Sequence, residues 1–511
     1  MQSIFDQGPF APCPRPFNLA HHVLGHAGDL GEKTALTIRN RSKYENWTYD
    51  ELSFLVDNFA NRLLSQNIEI GALLVMRIGN SLIFPAVYLA AIKIGAVPVP
   101  TSPMLTDVEF TRVVKNLDPS AILHDGLLSL PVIDTQVLTF SETPKVVEPP
   151  KIAPHFGDPD RLGYIVYTSG TSGNPTAVAH AHRAIWARQM MIKDWYDLTP
   201  DDRLLHAGAF NWTFTLGTGL MDPWTVGATS IITDAATEIV DLPGIMRDQD
   251  VTIFAAAPGV YRKLLKQKAK LAHLGLRHAL CAGESLSDDL RKAWQDATGC
   301  DVIEAFGMSE CSTFISGSPR APSPKGTIGR PQMGRQVAIL DGDTPAPIGT
   351  PGEIAVHRSD PGLMIGYYND QPASEAKFRG EWFLTGDLGT MDWDGTITYL
   401  GRNDDMMNAG GYRVSPLEVE AALSDHPGIE HLGVTDVTVS QDARVIAAFY
   451  TSASEISEDS LKRFANDRLA RYKQPRIYQR LDVLPTNANG KLSRKLLRQS
   501  FEAQNDRIRK T

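Results

Sequence analysis

The chain has 511 residues, too many for one hydrophobic core, so two or more domains are expected. Its 42% hydrophobic and 21% charged content are those of a globular protein, and a net charge of −9 excludes a basic footprint for nucleic acid or for an anionic membrane surface. Cys13, Cys281, Cys300 and Cys311 contain no C-x-x-C pair, which favours a reducing compartment over a disulfide framework or a zinc site.

In chain order, Met1 to Asp6 lacks the basic start and apolar core of a signal peptide, and Pro9, Pro12, Pro14 and Pro16 follow. Leu52 to Leu64 has helical apolar spacing, and Leu73 to Ile78 reads as a strand. The greasiest stretch, Leu82 to Val99, holds Pro85, Lys93, Gly95 and Pro98, so it reads as a buried helix running into a strand rather than a membrane span. The expectation is a cytoplasmic protein without membrane insertion. From residue 161 to about 320 the predicted strands are Arg203–Leu205, Thr229–Ile232, Thr252–Ala255, His278–Cys281 and Asp301–Ala305. The helices between them are Leu242–Asp248, Gly259–Lys268 and Asp288–Thr298. That alternation predicts parallel sheet flanked by helices. From 327 to 400 short strands with Gly, Pro and Asp turns suggest a small barrel or meander. Beyond Gly401 an α+β segment is predicted, with helices Ser415–Ser424 and Glu458–Leu469 and strands near His431–Asp436 and Val445–Tyr450.

One loop organises the rest. Tyr164-Ile165-Val166-Tyr167 reads as a strand, and Thr168-Ser169-Gly170-Thr171-Ser172-Gly173 after it holds only glycine and small hydroxyls. Glycine lets backbone N–H groups turn inward, and short hydroxyls add donors without filling the space a phosphate needs. Taken alone the run also fits a flexible Ser/Gly connector, although the flanking strand and Pro175 argue against a floppy linker.

Several further stretches occur in a fixed order: Ala282-Gly283-Glu284-Ser285, Ala305-Phe306-Gly307-Met308-Ser309-Glu310, Leu384-Thr385-Gly386-Asp387, Gly401-Arg402-Asn403-Asp404-Asp405, Gly410-Gly411-Tyr412-Arg413, and Pro485 to Lys491. Together with Tyr167 to Pro175 they resemble the adenylate-forming superfamily, in its acyl- and aryl-CoA synthetase branch, over essentially the whole chain. The resemblance implies an α/β fold: a large N-terminal adenylation domain over 1–402, built of two α/β subdomains and a small β-barrel. A hinge at Asn403–Asp404 and a mobile α+β C-terminal domain over 405–511 follow.

It also implies an AMP-forming acid–CoA ligase with ATP, Mg²⁺ and coenzyme A as cofactor and co-substrates. By resemblance Thr168, Ser169, Gly170, Thr171, Ser172 and Gly173 hold the outer phosphates, and Gly283, Glu284 and Ser285 line the adenine side. Phe306 stacks on adenine, with Gly307, Met308 and Ser309 beside the nucleotide. Glu310 holds Mg²⁺, Asp387 takes the ribose hydroxyls with Arg402 near the same sugar, and Lys491 sits between the carboxylate and the α-phosphate. Gly410 and Gly411 line the pantetheine channel.

Thr176 stands where the family's phosphate loop usually carries lysine, which predicts weaker nucleotide binding or slower adenylation. Asp202 to Gly217 sits where the family places its acyl-pocket wall, and its run into Pro223 to Thr229 looks most like benzoate-type and medium-chain ligases; Trp212, Thr213, Phe214, Gly283 and Gly307 are the candidates for that pocket. Trp212 and Phe214 read equally well as plain core. No Arg or Lys lies between His206 and Met221, which disfavours a dicarboxylate. The resemblance thus implies an aromatic or medium-chain monocarboxylic acid as substrate. Two rivals share the scaffold: an adenylation enzyme loading a carrier protein, and a nucleotide-binding protein with impaired turnover. A homodimer is the default assembly.

Overall fold

The computed structural model describes the chain except residues 41–42, 141–150, 169–175, 235, 268–269, 404, 410–411, 441–442, 487–491 and 511. It forms two compact units: Phe5–Val337 with Val356–Phe383, and Met1–Ile4 with Ala338–Ala355 and Leu384–Thr511.

The larger unit is built on a nine-stranded sheet. Its strands run in the order Arg330–Pro331, Ser312–Ser316, Val302–Met308, His278–Ala282, Ile253–Ala256, Arg203–His206, Thr229–Thr233, Thr34–Asn40 and Lys43–Thr48. The middle six are parallel and antiparallel strands close both ends. Ile253–Ala256 and His278–Ala282 are buried at every position, as strands covered on both faces must be. One face packs Phe254, Tyr261 and Trp294 from strand and helices; the other packs Trp195, Tyr196, Leu204 and Phe214. Removing a side chain such as Phe254 from water contributes about 2–3 kcal/mol.

Local chemistry sets the helix ends. Ser287 caps Asp288–Thr298 and Gly299 closes it with a positive φ of 77°. The helix predicted over Gly259–Lys268 is Pro258–Leu265, because Pro258 is pre-set for the first helical position.

A second, parallel sheet orders Val97–Pro100, Leu73–Arg77, Ala121–His124 and Val137–Thr139. Helix Ile83–Lys93 is buried along its whole length, its Lys93 ammonium paired with Asp57. This and the strand Val97–Pro100 account for the greasy stretch. Among the described residues no helix is long and apolar enough to cross a membrane. A third sheet joins Leu162–Thr168, Thr176–Ala181 and Gly366–Tyr367, all antiparallel.

The smaller unit contains an α+β layer and part of a sheet of short strands. Its strands His431–Ser440, Ala443–Thr451 and Ile477–Arg480 carry helices Pro416–Ser424, Glu458–Asn466 and Arg494–Lys510. The strand Trp382–Met391, which belongs to this unit from Leu384 on, pairs antiparallel with Ile397–Arg402.

Candidate active site

The glycine- and hydroxyl-rich loop connects the two strands of a hairpin. Thr168 and Thr176 are paired across it, and Ser169, Gly170, Thr171, Ser172 and Gly173 lie outside the described residues. The next helix, Arg183–Ala187, starts only after the strand Thr176–Ala181, so the hairpin does not lead directly into a helix N-terminus.

Three segments are tied together at this hairpin. His180 Nε2 lies 2.8 Å from the carbonyl oxygen of Ser309. Ile365 and Tyr368 donate backbone N–H bonds to Ala179 and Ala177, each at 2.8 Å. Met364 N–H donates to the Glu310 carbonyl at 2.7 Å, and Tyr367 Oη donates to Glu310 Oε1 at 2.8 Å. The Glu310 carboxylate is thus oriented by a phenol on the strand that extends the hairpin. Nothing in the sequence pairs residues 57 positions apart, and Tyr367 was not foreseen.

Behind this turn Arg335 and Asp360 form a fully buried ion pair at 2.5 Å. Arg335 also donates to the Thr313 carbonyl, and Asp360 accepts from Gly362 N–H at 2.7 Å. Phe306, Gly307 and Met308 end the strand before Glu310, half-buried, with Phe306 edge-on to Phe314. A Cβ on Gly307 would lie 2.2 Å from Ser312 O, so the hairpin backbone itself demands glycine there.

The turn after strand His278–Ala282 is shaped by Trp212. Gly283 has φ +93°, and a Cβ on it would stand 2.6 Å from Trp212 Cζ2, so both conformation and contact require glycine. Glu284 lies 3.8 Å from Arg262, and Ser285 is exposed. Glu304 supports the turn from beneath, accepting from Leu286 N–H at 3.1 Å beside Arg291 at 3.2 Å. Burial pushes its carboxyl up to about 7, against the lowering influence of Arg291. Trp212 and Thr213 are half-buried, whereas Phe214 is buried between Trp195, His206 and Trp212. Phe214 is therefore part of the core, and Trp212 links it to Gly283.

In the smaller unit Asp387 and Arg402 are cross-strand partners. Tyr399 Oη donates to Asp387 Oδ1 at 2.8 Å, and Arg402 Nη1 is 3.4 Å from Asp387 Oδ2. Burial and the neighbouring Asp387 push the Tyr399 phenol well up, so it stays a donor. Thr385 Oγ1 accepts from the Asp387 N–H and donates to the Ile354 carbonyl. Gly386, at φ +82°, receives the Asn403 N–H on its carbonyl at 2.8 Å. Asn403 is exposed; Asp404, Gly410, Gly411 and Lys491 lie outside the described residues. On the two sides of Lys491, Thr486 and Leu492 form an isolated bridge, and helix Arg494–Lys510 begins just beyond. Arg494 binds Glu420 at 2.7 Å and Asp405 at 3.3 Å.

Among the described residues no three His, Cys, Asp or Glu side chains gather as a metal centre. Glu310 nonetheless fits Mg²⁺, which keeps several waters and takes one or two carboxylates plus phosphate oxygens rather than a protein cage.

The larger unit thus carries a strand–hydroxyl-loop–strand hairpin with a turn-borne glutamate clasped to it, and the smaller unit carries a Thr-Gly-Asp strand paired with an arginine. The chain belongs to the AMP-binding enzyme family: the family profile matches residues 25–368, and the profile of the AMP-binding enzyme C-terminal domain matches residues 418–491. It is 28% identical to the 3-hydroxybenzoate–CoA/4-hydroxybenzoate–CoA ligase of Thauera aromatica, over 95% of this chain and 98% of that protein. It is 26% identical to the mitochondrial acyl-coenzyme A synthetase ACSM3 of Homo sapiens, over 95% of this chain and 90% of that one. The fold is similar to the crystal structure of a benzoate CoA ligase from Burkholderia xenovorans LB400, with a TM-score of 0.83, 25% identity and coverage of 94% and 100% of the two chains.

Proposed function

We propose that the protein is an AMP-forming acid–CoA ligase acting on an aromatic or medium-chain monocarboxylic acid. A substrate carboxylate oxygen attacks the α-phosphorus of ATP, the bond to the β-phosphate oxygen breaks, and pyrophosphate leaves. The sulfur of coenzyme A, having lost its proton, then attacks the acyl carbon of the mixed anhydride, and AMP departs with the bonding pair. Both reactants of the first step are anions, so catalysis is chiefly charge neutralisation and alignment.

The observation that carries this reading is the clasp of Tyr367 on Glu310 beside the phosphate-loop hairpin. It holds one carboxylate ready, next to the strands that frame a run of glycine and hydroxyl residues. Mg²⁺ held by Glu310 would supply positive charge to the phosphate oxygens. Thr168 to Gly173 cradle the outer phosphates. Gly283, Glu284, Ser285 and Phe306 take the adenine, with Gly307, Met308 and Ser309 beside it. Asp387 accepts from the ribose hydroxyls, and Tyr399 keeps it oriented. Lys491 brings its ammonium to the carboxylate and α-phosphate from a mobile segment, residues 405–511, that pivots at Asn403 and Asp404. Gly410 and Gly411 then border the pantetheine arm. Trp212, Thr213 and Phe214 form the acyl wall. Four cysteines without a disulfide fit a cytoplasmic setting.

Thr176 at the family's lysine position favours one competing reading, a nucleotide-binding protein with little turnover. Pyrophosphate release measured over a panel of carboxylic acids, followed by assay of the CoA thioester, decides between them. Release and thioester formation with a subset of acids are expected. No release above background with any acid would leave only the nucleotide-binding reading, and transfer to a carrier protein but not to free CoA would change the acceptor.

A further inference from the structure

Two buried polar side chains next to the aromatic wall lack a protein partner. His206 ends the strand Arg203–His206 and is 2% exposed; among the described residues neither of its ring nitrogens has a hydrogen-bond partner. Thr215 is fully buried, and its Oγ1 is likewise unpartnered among the described residues. Both lie against Gly208. A Cβ on Gly208 would lie 2.3 Å from Thr215 Oγ1 and 3.2 Å from His206 Nδ1, so the missing side chain at 208 is what lets both groups approach. Gly219 does the same on another side, where a Cβ would meet His206 Cβ at 2.8 Å. Asn80 pins the loop, donating to the Gly208 carbonyl at 2.8 Å and accepting from Phe210 N–H at 3.1 Å. The imidazole stands edge-on to Phe214 at 4.4 Å, and Phe214 edge-on to Trp212 at 5.3 Å. Trp212 in turn abuts Gly283, which places the polar pair two rings along the wall from the turn assigned to the nucleotide.

Buried polar atoms are nearly always hydrogen-bonded, because leaving water unpaired is costly. A wall shaped for hydrocarbon alone would carry valine at 215 and an apolar ring at 206. Burial pushes the His206 imidazole down to about 3, so near neutral pH it offers one N–H donor and one acceptor. The Thr215 hydroxyl offers both roles as well. Burial alone causes the His206 shift, so a charged substituent placed there would carry the same desolvation cost.

We infer that His206 and Thr215 form a polar subsite at the distal end of the acyl pocket, which receives a neutral hydroxyl group on the substrate acid. This rests on the ligase reading, whose acyl wall it completes. A site built to hydrogen-bond a substrate hydroxyl rejects the analogue lacking it far more strongly than an apolar pocket discriminates by size.

The test is direct binding of matched acids to the full-length protein by calorimetry: 3- and 4-hydroxybenzoate against benzoate, and hexanoate against its terminal hydroxy acid. At least one hydroxy acid should bind about tenfold or more tightly than its partner, and that ratio should collapse in Thr215→Val and in His206→Phe. Thr215→Val is nearly isosteric and keeps the test decisive if His206→Phe does not fold. Ratios within twofold for every pair, or a preference that survives in Thr215→Val, overturn the subsite. Pyrophosphate release separates the two claims. Release with benzoate and hydroxybenzoate bound equally keeps the ligase and removes the subsite. A hydroxyl preference lost in Thr215→Val without any pyrophosphate release keeps the subsite and removes the ligase.

Discussion

Tyr367→Phe removes a single hydroxyl, the one that donates to Glu310 Oε1 at 2.8 Å. The ring remains, and the backbone pairing of Gly366 and Tyr367 with Ala179 and Val178 does not depend on the phenol. A hydrogen bond to a charged group contributes about 1.5–3 kcal/mol, and Glu310 is half-buried, which selects the lower end of that range. At roughly 1.4 kcal/mol per factor of ten, the expected loss in kcat/KM for adenylation is about tenfold. Because the hydroxyl orients the carboxylate assigned to Mg²⁺, the variant should also need more Mg²⁺ for half-maximal rate. The assay is acid-dependent pyrophosphate release across a Mg²⁺ titration, with a melting curve as control. The melting temperature should fall by no more than about 2–4 °C, since one such bond is small against a unit of this size. A kcat/KM within twofold of wild type at every Mg²⁺ concentration would refute the argument that Tyr367 positions Glu310.

Thr176→Lys restores a cation at the end of the phosphate loop and should lower the KM for ATP by roughly two- to fivefold, the scale of a partly screened charge pair; an unchanged or higher KM counts against the cradle. Gly307→Ala drives a Cβ to 2.2 Å from Ser312 O and should cost about 1–3 kcal/mol of stability, read by denaturant midpoint. Glu304 gives a pH signature. Its folded pKa, up to about 7, exceeds the unfolded value near 4.5, so the folded state binds more protons between those values and stability declines as pH rises through that window. The decline is on the order of 3 kcal/mol from this group, and Glu304→Gln should flatten it in melting curves at pH 5 and pH 7.5, while an unaltered slope would show that Glu304 is not its source.

Much of the architecture was legible because local chemistry announces it. Helix Asp288–Thr298 has a serine before it and a glycine after it, and Ile253–Ala256 is apolar at each position. Glu458 to Leu469 was read as helix throughout, yet the helix stops at Asn466. Leu469 is buried in the C-terminal core after the chain has left the helix, so its apolar character mimicked helical spacing. The pairing of Thr34–Asn40 with Thr229–Thr233 joins segments far apart in sequence, and no local rule predicts that. The candidate residues divide along the same line. Glu310, Asp387 and Arg402 sit in short motifs whose residue types suggest their proposed chemistry. The contacts of Tyr367, Tyr399, His206 and Thr215 run across strands or a folded loop, and only three-dimensional packing reveals them.

Lys491, on the segment proposed to pivot, is assigned to adenylation and not to thioester formation. The direct measurement follows both half-reactions in Lys491→Ala: pyrophosphate release from ATP plus acid, and CoA thioester formation from supplied acyl adenylate. The first should vanish while the second proceeds near the wild-type rate. Adenylation that persists, or loss of both halves in a folded variant, would contradict the account.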